Sequence, residues 1–576
     1  MAMNAGTPEV RRLVLSKLIN SGINITPSVL GLFLKVDNPL EKIGTLIKEV
    51  SFIPSFNGHI TEEILHQIQN KEIKKILKRS GIKPPDISGV KQKIKSSSKT
   101  KPDKRTEEKQ KISIEKPSKS IIKDQKNSQP PIKEVKKVKP TESTKSTFRF
   151  KAKAKDYNEE WEILKDPTGK IHTSGEYQDF YDLTLDKFNS LKKLMKFRQE
   201  TFSATNINNI LRNSQKVTVE TIGLINEIRQ TKKGNYLINI EDSTGSLNVV
   251  VRSGSDVLEE DKIENIVEDQ MIFVQGTYNP GERGQKGIMF ASYLTRINIP
   301  KDFKPQKSRD PLSIALLSDT HIGSREFEEK LWNKFIKFIN GKVGNKKIRE
   351  IASKIKYVII NGDLVDGIGV YPNQQDDLVI SDIYKQYDKA AELISGIPDY
   401  IKVFYACGNH EPVRNAIPRP AVPKKYSEEL RNRGVKCIGN PALIKTHDVR
   451  TLIYHGDSIL DMNMLIPNLE HNKPANTMEE LLKCRHLAPI YGKKTQIAPT
   501  NTDWLVIDKI PDIFHTGHIH INDTGKYRNV TLINSGCFQS QTEFMSSFGI
   551  QPTPGIVPII ELDTLNWYEL NLKQHL

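Results

Sequence analysis

Cysteine is scarce in this 576-residue chain: Cys407, Cys437, Cys484 and Cys537 stand far apart, and no C-x-x-C pair occurs. That excludes a disulfide framework and a thiolate zinc site, and it suits a reducing compartment. Long apolar runs are also missing. No stretch reaches 18 apolar residues, and Met1–Leu15 has no signal-peptide core, so neither a membrane span nor secretion is expected, and a cytoplasmic location is. Hydrophobic residues make up 37%, slightly low for a wholly folded chain.

One segment lacks all aromatics and cysteine. Gly81–Thr147 is built from Lys, Ser, Pro, Thr and Gln, and its 19 Lys/Arg against 8 Asp/Glu give +11. The whole chain carries +17, so the remaining 509 residues hold only +6. Such a composition does not bury enough apolar area to offset ordering entropy, and a disordered basic linker is expected over 81–147. It reads as a solvated tether, with non-specific attraction for nucleic acid as its second role.

On either side lie folded segments. Val10, Leu13, Val14 and Leu18 recur at helical spacing, and Ile64, Leu65, Ile68, Ile73 and Leu77 repeat the pattern over Thr61–Leu77. A helical domain at 1–80 follows. A further helix is expected at Asp179–Arg198. From Val217 to Ile299 five β-rich runs are separated by turns at Lys233–Asn235, Ser243–Gly245 and Gly281–Gly287, which fits an OB-fold barrel within a 160–305 domain. Tyr236, Arg252, Phe273 and Arg283 are its candidate contacts to a single strand, unless the barrel is an interface module or these aromatics are simply core.

Chemistry concentrates after Pro311. Five strand-like runs, Leu312–Leu317, Tyr357–Ile360, Ile401–Tyr405, Arg450–Tyr454 and Asp512–Phe514, each end in polar residues. They lead to Asp319-Thr320-His321, Asp363-Leu364-Val365-Asp366, Gly408-Asn409-His410-Glu411, His455-Gly456-Asp457 and His515-Thr516-Gly517-His518-Ile519-His520. In a layered α/β fold such loops gather on one sheet edge. Two divalent ions roughly 3.5–4 Å apart need a bridging carboxylate plus several neutral or anionic ligands. Asp319 and His321 leave a strand end pointing the same way, as do His518 and His520. Asp363 supplies a carboxylate able to bridge, Asn409 an amide oxygen and His455 another imidazole. Glycines at 323, 362, 408, 456 and 517 permit the sharp turns. Imidazole with carboxylate suits Mn, Fe, Zn or Ni better than Ca or an all-oxygen Mg cage. Histidines outside the D-x-H, G-N-H-E, H-G-D and G-H-x-H positions, among them His447, His486 and His515, read as hydrogen-bonded core or surface residues.

D-x-H-x-G, G-D-x-x-D, G-N-H-E, H-G-D and G-H-x-H, in this order over about 200 residues, resemble the calcineurin-like metallophosphoesterase superfamily. With an OB-like barrel in front, the layout is similar to the B subunits of replicative DNA polymerases. L-L-K-C-R-H-L-A-P-I-Y-G at 481–492, H-T-G-H-I-H at 515–520, Q-S-Q-T-E-F at 539–544 and P-T-P-G at 552–555 resemble the small subunits of archaeal family-D DNA polymerases.

The resemblance implies an α/β phosphoesterase β-sandwich flanked by helices over 311–576. It implies one metal held by Asp319, His321, Asp363 and His520, and a second by Asp363, Asn409, His455 and His518. His410 would contact the scissile phosphate, catalytic together with Asp363. Asp366 and Glu411 would act from behind the ligands, and Arg414 and Arg419, just beyond G-N-H-E, are either phosphate contacts or surface charges. Two divalent ions are implied as cofactors, Mn foremost. The implied activity is 3′→5′ exonuclease proofreading on single-stranded and primer-template DNA, alongside a separate large catalytic subunit. A mainly structural subunit and a phosphoprotein phosphatase are the competing readings.

Overall fold

The structure, a computed structural model, describes residues 150–574 except 199–200, 259–260, 283–285, 372–373 and 548, together with part of 10–80. The linker expected at 81–147 lies outside the described residues, as does Arg283. The chain divides into two units, Met1–Val138 and Lys139–Leu576.

The first unit is helical where described, over Pro27–Phe33, Pro39–Val50, Glu62–Gln67 and Lys71–Ser80, and Asn24–Ile25 pairs in parallel with His59–Ile60. Val10, Val14 and Leu18 pack with Phe33, Ile43, Leu46, Leu65 and Ile73. The apolar stripe expected over Thr61–Leu77 is two helices rather than one. Asn70 explains the break: its side-chain oxygen accepts from the Ile73 N–H and starts the second helix.

In the second unit, β1 (Trp161–Lys165) and α1 (Tyr177–Met195) precede a closed five-stranded barrel. Its strands are β2 (Val217–Gln230), β3 (Tyr236–Asp242), β4 (Gly245–Val251), β5 (Met271–Asn279) and β6 (Ile288–Arg296), closed in the order β2-β3-β4-β6-β5. Alternate residues turn inward, so Ile238, Ile240, Leu247, Val249, Val274 and Leu294 fill the interior. Phe273 is also buried, packed against Phe188 and Leu191 of α1, which makes it core and not a base-stacking surface.

Downstream come β7 (Ser313–Leu317), α2 (Glu329–Ile339), α3 (Lys346–Lys354), β8 (Ile355–Asn361), α4 (Ile383–Ile394), β9 (Lys402–Ala406), α5 (Lys424–Asn432) and β10 (Lys436–Ile438). Then follow β11 (Ala442–Thr446), β12 (Val449–Ile453), α6 (Ile459–Leu465), α7 (Pro474–Cys484), β13 (Ile513–Thr516), β14 (Asp523–Tyr527), β15 (Val530–Asn534), β16 (Ile556–Glu561) and β17 (Trp567–Asn571). They form two six-stranded sheets, β10-β9-β8-β7-β16-β17 and β14-β15-β13-β12-β11-β1.

Strand alternation decides the layering. Ile314, Leu316, Ile359 and Phe404 of the first sheet share one buried cluster with Ile444, Ile453, Ile513 and Ile533 of the second. Their neighbours in sequence face outward. Leu317, Val358 and Val403 are covered by Trp332, Phe335 and Tyr387 of α2 and α4, and Leu443, Leu452 and Phe514 by Met478, Leu481 and Leu482 of α7. Because β7 to β10 run parallel, and β12, β13 and β15 likewise, the five motif loops leave the same edge.

The expectation that the chain from 160 belongs with the barrel differs from the arrangement seen. β1 pairs antiparallel with β11, and the Trp161 ring meets Phe404 edge-on at 5.5 Å, so burial of Trp161 and Ile163 draws this strand to the sandwich. The barrel is fastened to α7 by buried charge: Arg296 on β6 bonds Glu480 at 2.8 Å and pairs with Asp261. No described helix is long and apolar enough to cross a membrane.

Candidate metal centre

Each motif loop starts where a buried strand stops, and the backbone there is unusual. Asp319, His321, Asp363, His518 and His520 all have positive φ, between 50° and 68°. Non-glycine residues avoid this region, and its concentration in one place marks a site where structure holds strain for a purpose. Close packing adds a second constraint. A side chain at Gly517 would collide with Ser318 and Asp319, and one at Gly408 with Asp363.

The loops bring the expected side chains together. Asp319, His321 and His520 form one group whose ligand atoms lie within 4.8 Å of one another, and Asp363, His455 and His518 form a second. Asn409 Oδ1 is 3.1 Å from His455 Nε2. Asp363 Oδ2 is central: 3.2 Å from His455 Nε2, and 3.9 Å from both His321 Nε2 and His410 Nε2. Its other oxygen accepts from the His410 backbone N–H at 2.9 Å. Asp319 is arranged alike, with Oδ2 accepting from the His518 N–H at 2.9 Å and Oδ1 buried without a hydrogen-bond partner.

Behind the ligands, acceptors set the imidazole tautomers. His321 Nδ1 lies 2.9 Å from Asp366 Oδ1, His455 Nδ1 2.9 Å from the Asn361 carbonyl, and His410 Nδ1 2.7 Å from the Asp366 carbonyl. A ring hydrogen assigned to each Nδ1 leaves Nε2 as a lone pair aimed inward. His321 Nε2 then faces His520 Nε2 at 3.0 Å, a contact that needs a proton or a cation between the two nitrogens. This facing pair, the Asp319 oxygen 3.3 Å from His520 Nε2 and the mixed imidazole, carboxylate and amide donors together fit divalent transition-metal ions.

The electrostatics agree. Burial holds His518 down at about 4 and pushes His321 below its ordinary value, so both are neutral donors near pH 7. Burial also opposes charge on His455, but Asp363 and Asp319 overcome it and raise this imidazole to about 10. Burial raises Asp319 as well, yet His520 and His455 hold the carboxyl at about 2. The floor of the cluster is buried, whereas Asn409, His410 and His518 are partly exposed and mark its open side.

Residues outside the motif ligands organise the loops. Glu411 is buried and accepts from the N–H groups of Asp363 at 3.0 Å, Leu364 at 2.8 Å and Gly408, and from the Tyr405 hydroxyl at 2.8 Å. It clamps the loop after β8 to the loop after β9. Asn361 donates to the carbonyls of Tyr454 at 2.9 Å and His515 at 3.0 Å, joining the two sheets beneath the cluster. A polar residue ending an apolar strand was the only signal for Asn361. Arg419 is not at the opening. It is 2% exposed and forms two bonds to Asp457, at 2.6 and 3.0 Å, because a guanidinium at this depth needs a carboxylate. Arg414 donates to the Pro418 carbonyl at 2.9 Å. His515, His486 and His447 bond Ser535, Asp503 and Asp310, apart from the cluster.

Residues 314–523, which carry all seven candidate ligands, match the family described as the B subunit of DNA polymerase alpha/epsilon. The DNA polymerase II small subunit of Methanothermobacter thermautotrophicus is 41% identical over 413 residues, 72% of this chain and 83% of the relative. That of Archaeoglobus fulgidus is 39% identical over 401 residues, 69% of this chain and 78% of the relative. Among solved structures, an archaeal phosphodiesterase aligns over 45% of this chain and 99% of its own, at 14% identity and a TM-score of 0.24. Identity of this order over most of both sequences places the chain in the DNA polymerase II small subunit family.

Proposed function

We propose that this polymerase small subunit is itself a calcineurin-like phosphodiesterase. It removes nucleotides 3′→5′ from single-stranded DNA and frayed primer ends, proofreading in the cytoplasm for a separate large catalytic subunit. The observation that carries this reading is the convergence of Asp319, His321, Asp363, Asn409, His455, His518 and His520 around one opening. The direction of cleavage rests on the family resemblance.

Two divalent ions held there would polarise a phosphate and lower the pKa of a bound water. Asp319, His321, Asp363 and His520 would hold one, and Asp363, Asn409, His455 and His518 the other. Asp363 Oδ2, 3.2 Å from His455 Nε2 and 3.9 Å from His321 Nε2, would serve both sets. Asp366 and the Asn361 carbonyl keep His321 and His455 in the ligating tautomer. His410 stands at the opening with Nδ1 tied to the Asp366 carbonyl. Its Nε2, when protonated, donates to the phosphate and passes that proton to the leaving oxygen.

Purified chain with Mn and a 3′-labelled single strand tests the proposal. Release of labelled mononucleotide first, with longer 5′-labelled products shortening stepwise, is expected. Metal binding without cleavage would leave a structural subunit, and turnover of phosphopeptides but not DNA would make it a phosphatase.

A further inference from the structure

Asn440 lies where the chain crosses from one sheet to the other, between β10 and β11, and it is fully buried. A buried amide needs partners for its donors and its acceptor. Asn440 finds them on two loops of the metal cluster. Its Nδ2 donates at 2.7 Å to the carbonyl of Cys407, which immediately precedes Gly408-Asn409 in the loop after β9. Its Oδ1 accepts from the His455 backbone N–H at 3.1 Å, in the loop after β12. These partners settle which side-chain atom is nitrogen, because a carbonyl only accepts and an N–H only donates.

The backbone of the same residue holds a third element. Asn440 and Arg419 exchange two main-chain bonds, at 2.7 and 2.9 Å, and the Arg419 guanidinium grips Asp457, two residues beyond His455. Gly439 allows this approach, since a side chain there would strike the Arg419 carbonyl, Asp166 and Pro167. From the other side Asp166 Oδ1 accepts from the Gly439 N–H at 3.0 Å. The crossing segment is thus fixed in place before its amide reaches the two loops.

Those loops belong to different sheets, β9 to the first and β12 to the second. Face-to-face sheets sit about 10 Å apart, a spacing set by side-chain packing. A metal site tolerates only about 0.2 Å in its ligand distances. A direct bond from one loop to the other supplies the missing precision. It acts on Asn409 and His455, whose Oδ1 and Nε2 lie 3.1 Å apart and which belong to the second proposed ligand set alone. The first set is tied elsewhere. The Asp319 N–H donates to the Gly362 carbonyl at 3.1 Å, the His321 N–H to the Asp363 carbonyl at 2.9 Å and the Thr553 N–H to the His520 carbonyl at 2.9 Å.

We infer that Asn440 is a positioning residue for the second ion: its amide spans the two sheets and sets the gap between Asn409 and His455. The inference rests on the reading that the cluster holds two divalent ions, but it concerns a residue in neither ligand set.

Manganese titration of the full chain tests it, read as bound metal per chain and by electron paramagnetic resonance, which distinguishes a coupled Mn pair from an isolated ion. The unmodified chain is compared with Asn440→Ser, too short to span both loops, and Asn440→Asp, of the same length but without the donor. Affinity for the second ion is expected to fall about 10–100-fold in each, and that for the first to stay unchanged. At Mn concentrations that just saturate the unmodified chain, the coupled signal gives way to one isolated Mn per chain. Retention of the coupled pair in both variants would overturn the inference. So would parallel loss of both ions in a variant that melts at the temperature of the unmodified chain, which makes Asn440 a general prop. An unmodified chain that never takes up a second ion overturns the two-ion reading, and this inference with it, a result distinct from either of these.

Discussion

Asp366 Oδ1 lies 2.9 Å from His321 Nδ1, while the Asp366 backbone carbonyl lies 2.7 Å from His410 Nδ1. One residue thus orients the candidate ligand His321 with its side chain and the histidine at the opening with its main chain. Gln374 in turn donates to Asp366 Oδ2 at 2.9 Å. Replacing Asp366 by Ala removes the first role and keeps the second. Metal affinity is expected to fall roughly 10–100-fold, as it does when the residue behind a ligating histidine is lost. Calorimetric titration with Mn measures it, and Asp366→Asn recovers part of the loss. Unchanged affinity in the alanine variant would remove Asp366 from the site.

Metal binding should release protons. Asp363 and Asp319 raise His455 to about 10, and Asp319 raises His520 well above its ordinary value, each against the cost of burial. Both imidazoles therefore carry a proton near neutrality until an ion displaces it. Raising the pH removes that competition, so apparent Mn affinity increases from pH 6 toward pH 9. Calorimetry in buffers of differing ionisation enthalpy at pH 7 is expected to find about two protons released per chain at saturation. Proton-independent binding would contradict the assignment of these two ligands.

Arg419 and Asp457 make a stability prediction. Both side chains are nearly inaccessible, and neither reaches the opening. Arg419→Met leaves Asp457 buried and unpaired, at a cost of about 3–5 kcal/mol. Arg419→Met with Asp457→Leu removes both charges and should restore most of that loss. Thermal melting of the single and double variants checks it, and equal destabilisation by both would show that the pair is not coupled.

The basic segment has its own test. Deleting residues 81–147 removes a net +11. DNA affinity and its salt dependence should fall, because counterion release scales with the number of cations engaged. Hydrolysis of a small phosphodiester should not change. Loss of that activity would show a role for the segment beyond attraction of DNA.

The convergence of the candidate ligands was legible because they are rare residue types at short, fixed spacings after apolar strands. Asp319, His321, Asp363, Asn409, His455, His518 and His520 all announced themselves this way, and the parallel strands bring them to one edge. What supports them was less visible. Asn361 works through a side chain that crosses between two sheets, a relation invisible before the sheets are stacked. Arg419 displays its charge in the sequence but not its depth, which leaves a phosphate contact and a surface charge equally open there. Trp161 went to the sandwich because long-range burial against Phe404, and not proximity in sequence to the barrel, decides its strand partner. Phe273 illustrates the same limit, since alternation along β5 does not reveal that α1 covers the outer face of the barrel.

The most direct test replaces Asp363 by Ala and His410 by Ala in separate full-length chains. For each, bound Mn per chain and the rate of 3′-end release from a single strand are measured together. Asp363 would belong to both proposed ligand sets, so Asp363→Ala should lose bound metal and nuclease activity in parallel. His410 holds no ion in this account. Its loss should leave the metal content intact and lower the rate by roughly 10²–10⁴-fold, the scale of a general acid. Full nuclease activity in Asp363→Ala would contradict the account outright, whatever its metal content.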